Sequence, residues 1–189
     1  MTPKIIVLLG ISGSGKGTQA KMLIDKFELD YVGSGDLLRA RCKIDDFTGK
    51  KMSSVLSRGD FAPTSIIFAL WLKRWEELKN KPDFRGFVID GSPRKLVEAQ
   101  LIDQTLEWYE WDLYFRALLI DISRDEAYAR LFLRKRDDDT PDAINSRLDL
   151  FEKEVGPVID YYEKQSRLIR INGEQSVEDV HKDIMKAIG

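Results

Sequence analysis

The chain has 189 residues, of which 43% are hydrophobic, and it carries 30 basic against 32 acidic side chains. This length suits one α/β domain over residues 1–189, with room for a small inserted subdomain. The net charge of −2 gives no overall positive field, so we expect neither nucleic acid nor an anionic membrane as a partner.

The chain contains one cysteine, Cys42. A lone thiol forms no internal disulfide and no cysteine zinc cluster, so no structural zinc is expected. The apolar run near the N-terminus is too short to span a membrane and lacks a cleavage signature. We therefore expect a cytoplasmic protein, and because nothing in the sequence requires an assembly, we expect a monomer.

A glycine-rich turn follows the first apolar run of the chain. Residues 4–9 predict a β-strand, and the sequence Gly-Ile-Ser-Gly-Ser-Gly-Lys-Gly-Thr-Gln occupies 10–19. Glycines let successive backbone N–H groups point into one hollow, and the following helix adds its positive end, so polyphosphate is the expected ligand. Lys16 would reach the terminal phosphates, and a nearby hydroxyl would hold their magnesium. In the usual pattern that hydroxyl directly follows the lysine, whereas here Gly17 intervenes and Thr18 supplies it.

Strands and helices alternate along the rest of the chain. Short apolar runs rich in β-branched residues predict strands, and apolar residues three and four positions apart predict helices. Five strands joined by helices through right-handed crossovers predict an α/β fold with a five-stranded parallel sheet and helices on both faces. The expected strands are 4–9, 29–32, 87–89, 118–122 and 168–171. The expected helices are 18–27, a helical region from 36 to 80 that includes 64–79, one ending at Trp108, 124–136 and 177–188.

Two further local patterns lead to expectations about helices. Thr140 and Pro141 should cap and open a helix, which Gly156-Pro157 should kink or restart before Tyr162. Four tryptophans occur in two pairs at helical spacing. Base-stacking platforms would need a basic groove around them, so we expect these tryptophans to pack against the core. The pairs are Trp71 with Trp75 and Trp108 with Trp111.

Arginines cluster near the predicted carboxyl ends of the strands and on one helix. Arg94 follows the strand that ends in Asp90-Gly91, where α/β proteins bind ligands, and Arg130 and Arg134 share one helix face. Two phosphorylated substrates that face each other need this many positive groups, because phosphoryl transfer depends on alignment and fixed positive charge. The arginines concerned are Arg39, Arg94, Arg130, Arg134, Arg136 and Arg147.

Four motifs in the same order resemble those of the adenylate kinase family, over nearly the whole chain. The loop at 10–19 is similar to that family's phosphate loop, including the glycine after the lysine. Gly-Ser-Gly-Asp-Leu-Leu-Arg at 33–39 resembles its monophosphate-binding turn. Asp-Gly-Ser-Pro-Arg at 90–94 resembles its Asp-Gly-Phe-Pro-Arg signature. Arg136-Asp-Asp-Asp, with Arg147 eleven residues later, resembles its Arg-x-Asp-Asp segment.

The resemblance implies a P-loop kinase that transfers a phosphoryl group from Mg-ATP to a nucleoside monophosphate, and AMP is the expected acceptor. Residues 35–80 would form a helical monophosphate-binding subdomain, and 130–136 a truncated lid. The implied catalytic residues are Lys16, Arg94, Arg134, Arg136 and Arg147. The implied ATP site comprises Gly13, Ser14, Gly15, Lys16, Gly17, Thr18, Arg130, Arg134 and Gln175, with magnesium held through waters by Thr18 and Asp90. The implied monophosphate site comprises Ser34, Arg39, Asp60, Phe61, Ala62, Gly91, Arg94, Glu98, Arg136 and Arg147.

The chain departs from the family pattern at three places. The lid segment is short, so water should compete as an acceptor more than in relatives with long lids. Glu98 stands where AMP-specific members usually have glutamine, and a carboxylate accepts from the amino group of adenine but repels the neighbouring ring nitrogen. Ser92 replaces the usual aromatic residue.

Three other functions remain open at this point. Because guanine offers two donors to a carboxylate, Glu98 leaves GMP, or a broad range of monophosphates, open as acceptor. A phosphate-loop kinase could act on another small acceptor, although Arg39 and Arg94 argue against a neutral one. A module with a minimal lid could bind or hydrolyse ATP without transferring its phosphoryl group.

Overall fold

A five-stranded parallel sheet forms the centre of the fold in the computed structural model, which describes residues 2–57, 60–134 and 140–189. The strand order is β2-β3-β1-β4-β5, so the first strand of the chain lies in the middle of the sheet. Every paired register between neighbouring strands is parallel. The predicted fold class is confirmed. The strands are β1 (Lys4–Leu9), β2 (Asp30–Gly33), β3 (Gly86–Asp90), β4 (Phe115–Asp121) and β5 (Leu168–Asn172).

Helices cover both faces of the sheet, because successive residues of a strand point to opposite sides. Ile5 and Val7 of β1 belong to a core shared with Trp71, Trp75 and other residues from helices α4, α5 and α7. Ile6 and Leu8 belong to the opposite core, built with helices α1 and α8. The helices in the described residues are α1 (Lys16–Phe27), α2 (Ser34–Cys42), α3 (Phe47–Ser57), α4 (Thr64–Lys79), α5 (Leu96–Trp108), α6 (Arg124–Arg134), α7 (Pro141–Lys164) and α8 (Val177–Ile188). Within these parts of the chain, no helix has both the length and the apolar character needed to cross a bilayer.

The expectation that all four tryptophans pack in the core is wrong for Trp108. Trp71 and Trp75 are fully buried and Trp111 is 3% exposed, whereas Trp108 is 81% exposed. Helix α5 ends at Trp108, so the spacing of three to Trp111 is no longer a helical spacing. Tyr109 takes the inner position instead, stacked on Trp111 with ring centroids 4.9 Å apart.

The expected restart of the last long helix also does not occur. Helix α7 runs without interruption from Pro141 to Lys164 and contains Pro157. Pro157 lies on the solvent side, so water can satisfy the carbonyl that its missing N–H leaves unpaired. The neighbouring Val155 and Val158 are buried in the core. Packing on both sides of the proline therefore holds the helix together.

Candidate functional site

The candidate site lies where three neighbouring strands end on the same edge of the sheet. Leu8 of β1 and Gly33 of β2 are both in register with Asp90 of β3. The glycine loop at 10–19, the start of α2 and the segment that follows Asp90 consequently meet at one place. This is the edge at which open α/β sheets bind their ligands.

The glycine loop has a backbone that side chains would prevent. Gly10, Gly13 and Gly15 have φ values of 143°, 90° and 92°, in the region that favours glycine. A Cβ atom at Gly10 would lie 2.6 Å from the carbonyl oxygen of Ile120. The first turn of α1 holds no acidic side chain and Gly15 provides no side-chain cap. The positive end of α1 therefore faces the loop, which gives the loop the properties of an anion site.

The Lys16 ammonium lies against the loop's own carbonyl groups. Its Nζ atom donates to the oxygens of Gly10 and Ile11, at 2.5 and 2.8 Å, and lies 3.4 Å from the Ser14 hydroxyl. Desolvation lowers the pKa of Lys16 to about 8, the charge of Asp90 opposes this, and the charge of Arg94 adds to it. A polyanion bound beside Lys16 would favour the charged ammonium and so raise this lowered pKa again.

We predict from this pKa that ATP binding weakens as the pH rises through 8. The free lysine loses its proton near that pH, whereas bound phosphates hold it charged, so binding above pH 8 must take up a proton. The dissociation constant of ATP should rise about tenfold from about pH 7 to about pH 9. Calorimetry in two buffers of different ionisation enthalpy measures both the affinity and the proton uptake. The Lys16→Arg variant stays charged and should show a flat profile, and a flat profile in the unmodified protein would contradict the prediction.

One cleft joins Lys16 to four of the six predicted arginines. It has a volume of about 560 Å³, and Gly10, Ser12 and Lys16 line the side formed by the glycine loop. The cleft is also lined by Ser34, Arg39, Phe61, Ala62, Gly91, Ser92, Arg94, Glu98, Arg134 and Arg147, and by apolar side chains that include Leu150, Phe151 and Val155. Charged groups of the glycine loop and of four further segments therefore surround one space. The apolar wall from α7 was not predicted, because its residues have the pattern of ordinary core positions.

Arg94 is held in place by two contacts within the cleft. Its Nε atom donates to the Gly91 carbonyl at 2.9 Å, and its guanidinium lies 4.8 Å from the centroid of the Phe61 ring. Arg39 pairs with Asp36 one turn earlier on α2 and remains largely exposed. The Arg94 guanidinium is thus fixed in position before a ligand binds, whereas the Arg39 side chain is more accessible to solvent.

Glu98 is 5% exposed and lines the cleft from the first turn of α5. Its Oε2 atom accepts a hydrogen bond from the backbone N–H of Arg94 at 2.7 Å. Desolvation raises the pKa of Glu98, and the Arg94 N–H opposes this shift. The carboxyl group therefore has a structural role at the start of α5 in addition to any contact with a ligand.

Two residues predicted for the ATP base lie outside the cleft but close to one another. Arg130 pairs with Glu126 at 2.6 Å and donates from Nη2 to the Gly173 carbonyl at 3.0 Å. Gln175, two residues further on, donates to the Asn172 carbonyl and to Asp183. A direct hydrogen bond thus joins α6 to the 173–175 turn.

Four other residues predicted for the site are not among those that line the cleft, namely Gly17, Thr18, Asp60 and Asp90. Asp60 is exposed and is not part of the cleft wall. Gly17 and Thr18 form the exposed first turn of α1. Asp90 accepts from the Tyr31 hydroxyl at 3.1 Å, a partner that the sequence analysis missed because a tyrosine in a strand reads as packing. Arg136 lies outside the described residues, as does the end of the predicted lid.

Magnesium fits the donors available at this edge. Within the described residues, no group of three or more His, Cys, Asp or Glu side chains could enclose a metal ion. Thr18 and Asp90 offer a hydroxyl and a carboxylate, which are hard oxygen donors. Mg²⁺ keeps several waters and needs only one or two protein oxygens beside substrate phosphates.

Comparison with known proteins decides the family. The sequence model of the family described as adenylate kinase matches residues 8–167. The chain belongs to the adenylate kinase family. It is similar to adenylate kinase 1 of Nostoc sp. (33% identical over 184 residues, 97% of this chain and 98% of the relative) and to the adenylate kinase of Corynebacterium urealyticum (35% over 184 residues, 97% and 98%). The adenylate kinase of Chlamydia muridarum is 30% identical over 224 aligned positions, covering 99% of this chain and 88% of the relative.

Membership in the adenylate kinase family makes this protein a nucleotide-binding phosphotransferase, that is, a nucleoside monophosphate kinase. The enzyme class predicted from the sequence is confirmed. The four motifs that carried the resemblance all begin within residues 8–167.

Proposed function

We propose that the protein catalyses the reversible transfer of the γ-phosphoryl group of Mg-ATP to AMP, giving two molecules of ADP. The observation that carries this proposal is one cleft that is lined both by Lys16 with the glycine loop and by Arg39 and Arg94. Two polyanions can approach each other only where fixed positive charge offsets their repulsion. A neutral acceptor would not need the two arginines.

Each charged group has a distinct part in this proposal. The loop amides and Lys16 bind the ATP phosphates, while Arg39 and Arg94 bind the phosphate of AMP. Arg134 and Arg147 lie on the cleft wall and stabilise the oxygens of the group in transfer, together with Arg136. When bound, Mg²⁺ held through Thr18 and Asp90 neutralises charge on the β- and γ-phosphates. The protein thus acts by alignment and electrostatic stabilisation rather than by covalent chemistry.

Two segments would provide the rest of the binding surface. Arg130 and Gln175 bind the adenine of ATP beside the 173–175 turn. Helices α2 to α4 form the monophosphate-binding subdomain over 35–80, and Phe61 and Ala62 bring its last loop to the cleft. The short lid at 130–136 is compatible with this activity. The relatives from Nostoc and Corynebacterium carry the name adenylate kinase and align over 98% of their length with this chain.

The test is to incubate the protein with Mg-ATP and AMP and to follow both nucleotides and free phosphate. The proposal requires loss of ATP and AMP in equal amounts, with two ADP formed for each AMP consumed. A module that only hydrolyses ATP would release ADP and phosphate and leave AMP unchanged, which would refute the proposal. With ATP alone, the short lid should allow a slow hydrolysis that is well below the rate of transfer.

GMP is the second candidate acceptor, and Glu98 is the observation that favours it. A carboxylate can accept from both N1–H and the amino group of guanine, whereas adenine offers it only one donor. The same assay with AMP, GMP, CMP and UMP in parallel decides the question. A kcat/KM for GMP above that for AMP would replace AMP as the proposed substrate.

A further inference from the structure

A buried chain of three hydrogen-bonding side chains ends at the wall of the cleft. The indole Nε1 of Trp71 donates to Ser34 Oγ at 3.1 Å, and Ser34 Oγ donates to Ser92 Oγ at 2.7 Å. All three side chains are at most 5% exposed. Because an indole N–H can only donate, its bond to Ser34 leaves the Ser34 proton for Ser92.

The direction of this chain determines what the Ser92 hydroxyl offers to a ligand. Its oxygen already accepts from Ser34, so its own proton is directed elsewhere. Ser92 lines the cleft, and no other hydrogen bond of its hydroxyl occurs in the part of the chain that the structure describes. Successive donors along such a chain polarise one another and strengthen the last one. Ser92 therefore presents a donor to the cleft.

Glu98 supplies an acceptor next to this donor. Only Pro93 separates Ser92 from Arg94, whose backbone N–H donates to Glu98 Oε2 at 2.7 Å. That bond orients the carboxylate and uses one of about four acceptor positions on it. A hydroxyl donor and a carboxylate acceptor thus both line the cleft, and the short segment 92–94 links them.

We propose that Ser92 and Glu98 together read the edge of adenine, with Glu98 accepting from the exocyclic amino group and Ser92 donating to the adjacent ring nitrogen N1. This inference rests on the proposed function and names the residues that select its acceptor. A single glutamine amide would provide both a donor and an acceptor. Here the two functions are divided between two side chains, and Ser92 offsets the repulsion between the Glu98 carboxylate and N1. Trp71 acts as a positioning residue, because it does not line the cleft and acts on Ser92 through Ser34.

The test combines the Ser92→Ala variant with an AMP analogue in which N1 is replaced by C–H. In the unmodified protein, kcat/KM should be about tenfold lower for the analogue than for AMP, since one hydrogen bond is lost. Ser92→Ala should lower kcat/KM for AMP about tenfold and leave that for the analogue unchanged. Such a result would show that the Ser92 hydroxyl and atom N1 of the base act through one interaction. A general loss of packing would instead lower kcat/KM for AMP and for the analogue alike.

Two controls separate the possible failures. Thr105→Val removes another buried hydroxyl, which bonds only within α5 to the Leu101 carbonyl, and should leave the preference for AMP over the analogue unchanged. If Ser92→Ala does not fold, the preference of the unmodified protein for AMP over the analogue still tests the donor at N1. Equal use of AMP and the analogue by the unmodified protein, or equal losses for both in Ser92→Ala, overturns this inference. Failure of the unmodified protein to phosphorylate AMP instead overturns the proposed function.

Discussion

The Lys16→Met variant should lose about 10³-fold in kcat/KM for the phosphorylation of AMP, because removal of one preorganised charge from the transition state costs about 10² to 10³ or more. Methionine keeps the length of the side chain and removes its charge. The Lys16 ammonium lies at the mouth of the glycine loop, 2.5 and 2.8 Å from two of its carbonyl oxygens. It is therefore placed to meet the transferring phosphate. Initial rates with saturating ATP and with saturating AMP would separate effects on kcat from effects on binding.

The fold of the Lys16→Met variant should be at least as stable as that of the unmodified protein. The pKa of Lys16 is about 8 in the folded protein and 10.5 ordinarily. A lowered lysine pKa is a cost to folding that is fully present below pH 8 and disappears as the pH rises toward the ordinary value. Thermal unfolding near pH 7 checks this. Lys182→Met is a matched control, since Lys182 pairs with Asp179 on α8, and it should leave activity unchanged. An active Lys16→Met enzyme would contradict the proposed role of Lys16.

The second large effect is expected for Arg94→Ala, which should lower kcat/KM for AMP by about 10² to 10³ while leaving ATP affinity within about twofold. Arg94 is fixed by the Gly91 carbonyl and by the Phe61 ring, so its charge is already in position when AMP binds. Steady-state rates as a function of AMP, together with ATP binding by calorimetry, measure the two quantities separately.

Two further variants sharpen the Arg94 prediction. Arg94→Lys keeps a positive charge but lacks the planar fork, so it should recover only part of the lost activity. Arg170→Ala removes an arginine that pairs with Glu163 and Asp121 outside the cleft, and it should behave like the unmodified enzyme. An equal loss of ATP and AMP binding in Arg94→Ala would mean that the two sides of the cleft are not separate sites.

The sequence predicted the elements whose boundaries depend on local patterns. Helices 64–79 and 177–188 match α4 and α8, and all five strands were placed to within a few residues. Strand β4 begins at Phe115, three residues before the predicted start. The run Phe115-Arg116-Ala117 has no continuous apolar pattern, and only pairing with β1 makes it a strand. Tertiary pairing, rather than composition, sets that boundary.

The predictions failed at an unrecognised local turn and where distant parts of the chain meet. Trp108 was expected in the core because the spacing to Trp111 assumed a continuous helix, but the chain turns at Glu110, which has a φ of 61°. For the candidate site, motif order identified the glycine loop and the arginines of the cleft. The contact between Trp71 and Ser34 joins residues 37 positions apart, and that between Ser34 and Ser92 joins residues 58 apart. No local pattern encodes such contacts, so only the folded chain reveals which hydroxyl groups meet.

The central position of β1 has a consequence for synthesis of the protein. Its two partners are β3 and β4, which end at Asp90 and Asp121 of a chain of 189 residues. A nascent chain emerging from the ribosome therefore cannot complete the pairing of β1 until β4 has been made, more than a hundred residues later. Non-local pairing of this kind slows folding compared with local helix contacts. The residues of β1 thus wait for partners that are translated well after them.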